Sequence, residues 1–163
     1  LFDNENWFYL WDFVDDGGMY SYILLTHILA ATIWTGGHLV LALTVLPRAL
    51  RAHDPGILLN FESGYEKIGM PALLIQIVTG LWMAHLLLPS HADWFSGETL
   101  QSRLVMLKLG LLALTAATAL DARLRIIPRL TAATLPAMAR RVTLVTVVSV
   151  CFVIVGVAFR GGF

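Results

Sequence analysis

Cysteine is almost missing from this 163-residue chain: Cys151 stands alone. One cysteine can close no internal disulfide and cannot build a Cys-based metal cluster. Set in an apolar run, it reads as a small buried residue. Charge is scarce too. Asp, Glu, Lys and Arg make up 13% of the residues, and eleven bases balance eleven acids. Soluble domains carry about a quarter, and a chain with no basic excess offers nucleic acid no electrostatic footprint. No linker, low-complexity tract or soluble domain interrupts it. The chain opens on Leu1 rather than Met, which leads us to expect a processed or shortened start. It shows no n-region or cleavage site of a secretory signal.

What is abundant is apolar surface. Hydrophobic residues are 58% of the chain and the mean hydropathy is +0.75. Four runs of membrane-crossing length are predicted as helices over about 20–46, 68–88, 103–120 and 142–159. The expected fold is an all-α integral membrane protein, one four-helix transmembrane bundle spanning 1–163, with the lipid bilayer around it. Residues 1–19 mix Trp7, Phe8, Tyr9, Trp11 and Phe13 with five acids. Aromatics beside charges belong at headgroup level. They predict a short interfacial segment, or else a docking edge for a partner subunit.

The first helix organises the rest. Between Tyr22 and Leu46 its only ionisable residues are His27 and His38. Eleven residues are almost three whole turns, so both imidazoles share a face about 16 Å apart along the axis, with Trp34 between them. Polar groups at membrane depth face a bundle interior, and this face should look inward. Gly36 and Gly37 either admit a neighbouring helix closely or leave room for a flat ligand. Pro47 is expected to end the helix. The loop expected over 47–67 is compatible with a short interfacial helix at 57–65, and Pro71 falls in the first turn of the second span.

Eight of the eleven Lys and Arg lie in 48–67 and 121–141. Cytoplasmic loops carry that excess. Both termini and the loop between the second and third helices are therefore expected outside, and the location expected is a bacterial inner membrane.

On that topology His27, His85 and Lys108 fall within about one turn of the same depth, on three successive helices. Two imidazoles on facing helices suit axial ligation of a haem b, with Lys108 on a propionate or snorkelling outward. Copper is the competing chemistry, because His with Met suits Cu(I). Met83, two residues from His85, points to a different face of the helix. His38, with Gln76 at comparable depth, reads as structural or as a proton or quinone contact, and as a lesser metal candidate. His53 and His91, in loops, read as solvated.

The stretch H-x6-W-x-G-G from His27, with Leu46-Pro47-Arg48, resembles the first block of the HemJ-type protoporphyrinogen oxidases. YEKIGMPALLIQIVTGLWM from Tyr65 and RLVMLKLGLLAL with Lys108 resemble that family's second and third helices. The same pattern is shared with the membrane domain of CopD copper-resistance proteins. The HemJ resemblance implies haem b with His27 and Lys108 as the functional pair. The Asn-Glu-x-Pro motif and late third-helix histidine of that family are absent here. The CopD resemblance implies copper uptake or resistance.

Three readings follow. The first is a b-type haem protein that moves electrons, with cofactor contacts His27, His85, Lys108 and Trp34, as a subunit of a respiratory complex or as a homo-oligomer. The second is a porphyrinogen oxidase. The third is a copper-handling membrane protein.

Overall fold

Two prolines shape the first and third spans of the structure, a computed structural model that describes residues 18–159. Proline has no N–H to donate, and its ring collides with the carbonyl four residues back. Ahead of both Pro47 and Pro128 the helix widens into a π turn, which moves those carbonyls out of the way. The N–H of Leu46 reaches the carbonyl of Leu41, and that of Ile127 reaches Ala122. The first span therefore does not stop at Pro47. It runs as α1 (Met19–Val40), the π turn Leu41–Val45, and α2 (Leu46–Ala52).

A two-residue turn follows. His53 takes a left-handed conformation, φ 50°, and Asp54 accepts a hydrogen bond from the Gly56 N–H at 2.8 Å. Pro55, whose missing N–H costs nothing in a first turn, then starts α3 (Pro55–Leu87). The expected loop over 47–67 is thus helix on both sides of a tight turn. The expected interfacial helix is the first part of α3, and Pro71 lies inside α3 rather than in its first turn. The third span begins at α4 (Leu100–Asp121), capped by Thr99, whose hydroxyl accepts from the Ser102 N–H at 3.1 Å. It continues through the π turn Ala122–Ile126 and a 3-10 turn, Ile127–Arg129. The last is α5 (Leu135–Ala158).

Among the described residues four helices are long and apolar enough to cross a membrane: Met19–Ala52, Pro55–Leu87, Leu100–Arg129 and Leu135–Ala158. Among the same residues there is no strand. The protein is an all-α, multi-pass membrane protein. The expected interfacial segment lies outside the described residues up to residue 17.

The helices that pack along their lengths are α1 with α3, α1 with α5, and α4 with α5, giving the order α3–α1–α5–α4. One third of the apolar window is buried in the first and last spans, against 6% and 11% in the other two. The first and last spans are therefore the central pair, and α3 and α4 turn most of their apolar surface outward. The contiguous buried cluster lies at one end. Leu41, Val45, Leu46 and Ala49 meet Leu58, Ala122, Leu135, Met138 and Val142 there. The same end is tied by ion pairs: Asp121 receives Arg141 at 2.5 Å and Arg125 at 3.4 Å, and Glu66 pairs with Arg123. We call it the basic end.

A second, polar contact joins α1 to α5. The Thr146 hydroxyl, which donates to the Val142 carbonyl of its own helix at 2.7 Å, lies 3.2 Å from the carbonyl of His38, and Thr35 lies 3.5 Å from the carbonyl of Ser149. Small hydroxyl residues let helices approach and hydrogen-bond where no water competes.

Candidate functional site

The α1–α3 contact is a seam of small residues. Ala30 and Gly37 on α1 face Gly69, Ala72 and Gly80 on α3, at helical steps that keep each set on one face. Close backbones let polar side chains of one helix reach the other. At the basic half, the Tyr65 hydroxyl donates to the carbonyl of Trp34 at 3.0 Å. Its ring fills the space beside Gly37 and Gly69. Gly37 therefore admits a neighbour's side chain rather than a flat ligand. Gly36 has open space around it.

His38 belongs to this cluster. Its ring is buried, lies 4.3 Å from that of Trp34 and meets the Tyr65 ring edge-on at 5.7 Å. Nδ1 lies 2.9 Å from the Trp34 carbonyl, which only accepts, so Nδ1 carries the proton. Trp34 is itself buried against His38, a structural position rather than an open cofactor face.

His27 sits about three turns nearer the opposite end. Its Nδ1 is 2.9 Å from the Thr79 hydroxyl. That hydroxyl already gives its one proton to the carbonyl of Ile75, at 2.6 Å. It can only accept from His27, so the imidazole holds its proton on Nδ1 and keeps a bare lone pair on Nε2. The ring lies against Gly80, where an added Cβ would come within 3.2 Å of Cε1. The backbone carbonyl of Gln76 is a further acceptor for the ring's N–H. The side-chain oxygen of Gln76, one turn along α3, is buried and unpartnered.

Lys108 reaches this level from α4. Its ammonium stands 4.8 Å from the centre of the Phe159 ring, a cation–π contact, and passes beside Gly156. It is near enough to act on His27 electrostatically. His27, Gln76, Thr79 and Lys108 are thus gathered at one level of the bundle.

His85 is not part of that group. It lies six residues beyond Thr79, which turns its side chain by about 120° and carries it about 9 Å further along the helix. Its exposed ring stacks instead on His91, at 5.5 Å and 21°. The matched depth expected for His27 and His85 does not hold, and the geometry lends no support to a haem b held between them. His91, read from sequence as simply solvated, is stacked on His85 and packs against Trp94 with its ring tilted by 49°. Among the described residues no group of three or more His, Cys, Asp or Glu is placed to hold a metal ion. Sequence reasoning missed the roles of Thr79 and Tyr65. Their spacing of fourteen residues, about four whole turns, was the available signal.

Fold and site together define a four-span helical membrane protein with a polar seam between its first two spans. The family model for copper resistance protein D, CopD, matches residues 59–159, more than half of the chain. The chain belongs to the CopD family. The match takes in Gln76, Thr79, His85, His91 and Lys108, while His27 and His38 precede it. No curated protein and no solved structure matches the chain.

Proposed function

We propose that this protein handles copper in a bacterial inner membrane, passing the ion along the α1–α3 seam rather than storing it. The carrying observation is that His27, its Nδ1 held by Thr79, shares one level of that seam with the buried, unpartnered Gln76 Oε1. An imidazole nitrogen with a bare lone pair is a good copper ligand, and a carbonyl oxygen is a weaker one. The CopD family match supports copper as the cargo. Lys108 sets the mode of use. An ammonium close to His27 raises the energy of any cation held there, so His27 would release the ion readily.

The test is copper content and copper accumulation. Cells producing the wild type should differ in copper accumulation from cells without it, and His27→Ala should abolish the difference while the protein still inserts. Purified wild type with the narrow α-band of a six-coordinate haem and no copper would overturn this reading in favour of haem-based electron transfer.

A further inference from the structure

We propose that His85 and His91 form a two-imidazole copper site at the end of the bundle opposite the basic end, where the ion is taken up before it reaches the seam. The proposal rests on the copper reading above and adds a location outside the seam.

The loop between α3 and α4 is built to hold His91 in place. Trp94 is buried and donates its indole N–H to the carbonyl of Leu88 at 2.8 Å, pinning the loop to the end of α3. Ser102, fully buried, accepts from the Gly97 N–H at 2.9 Å, and Arg103 Nε donates to the Gly97 carbonyl at 2.9 Å. These bonds fix the loop to α4 as well. His91 packs on Trp94 at 5.1 Å and is thereby laid over His85.

Both imidazoles are exposed, and neither has a hydrogen-bond partner among the described residues. One ion bound about 2 Å from each nitrogen needs nitrogens about 3–4 Å apart. Rings stacked at 5.5 Å and 21° need only a side-chain rotation to bring their nitrogens to that separation. Asp93 and Glu98 in residues 89–99 outnumber the one base held on the loop, Arg103 on the Gly97 carbonyl, so the local charge is net negative, unlike that beside His27. Two imidazoles exceed oxygen-only sites in preference for copper, which also tops the first-row divalent series. With only two protein ligands the ion exchanges readily, as a receiving site requires.

The test uses the full-length protein in detergent titrated with Cu(II). Wild type should show nitrogen superhyperfine structure from two imidazoles in electron paramagnetic resonance. His85→Ala and His91→Ala should each weaken binding at least tenfold and leave a one-nitrogen pattern. His53→Ala is the control and should change neither. Both rings are exposed, and unchanged thermal melts of the two variants would show that the fold survives. A two-nitrogen copper spectrum persisting in His85→Ala and His91→Ala would overturn this site while leaving the copper reading intact. Wild type that binds no copper would overturn both.

Discussion

The ring of Tyr65 occupies the space that a side chain on Gly37 would need: an added Cβ would collide with its Cε2 atom. The neighbouring Gly36 would meet nothing within 4 Å. The two adjacent glycines therefore predict opposite outcomes. Gly37→Ala must displace Tyr65 and break its hydrogen bond to the Trp34 carbonyl, at a cost of about 1–3 kcal/mol. Gly36→Ala gains helix propensity of about 0.5–1 kcal/mol. Thermal melts in detergent should thus fall for the first and hold or rise for the second. Equal losses at both positions would show that the α1–α3 seam is not packed as described.

His27 and Thr79 give a second prediction. Thr79→Val keeps the shape but removes the hydroxyl acceptor, leaving the imidazole free to move its proton to Nε2. The lost hydrogen bond should cost about 0.5–1.5 kcal/mol. Nitrogen NMR of labelled histidine should report a mixture of tautomers in Thr79→Val and a single one in wild type and Thr79→Ser. Copper accumulation should follow the tautomer, falling in the valine variant and surviving in the serine one. A valine variant with wild-type accumulation would separate the Nε2 lone pair from transport.

His38 is predicted to be structural. It is buried, its Nδ1 faces the Trp34 carbonyl, and the Thr146 hydroxyl of α5 lies 3.2 Å from its backbone carbonyl. His38→Gln should lower thermal stability by about 0.5–1.5 kcal/mol, the worth of one hydrogen bond, because the Trp34 carbonyl keeps the Tyr65 hydroxyl. Bound copper should be unchanged at saturating metal. Complete loss of copper in a folded His38→Gln protein would make this histidine a ligand.

The four spans were legible because about twenty consecutive apolar residues admit few other structures in a long chain. The boundaries were not, and the prolines explain why. Pro47 looks like a stop to a rule that assumes α geometry, but a π turn absorbs it, and sequence carries no marker for that turn. The inward face of α1 was also legible, since His27, Trp34 and His38 share it by period alone. Partner choice was not. Depth counted from apolar boundaries set His27 opposite His85, yet α3 begins at Pro55 and meets His27 at Thr79. His91 depended on a loop held by Trp94 and Ser102, which no periodicity reveals.

Orientation is the remaining prediction, and it rests on charge alone. Arg123, Arg125, Arg129, Arg140 and Arg141 all lie at one end, with Arg48 and Arg51 beside them. Basic loops stay on the cytoplasmic side during insertion, so the basic end should face the cytoplasm and the His85–His91 loop the outside. In a Cys151→Ser background, Ser90→Cys should react with a membrane-impermeant maleimide in intact bacteria whose outer membrane has been opened. Ala132→Cys, between α4 and α5, should react only after the inner membrane is permeabilised. Both positions are exposed, so accessibility within the fold does not limit either reaction. The reverse pattern would invert the topology. It would turn the two-imidazole site to the cytoplasm, where it would deliver copper rather than receive it.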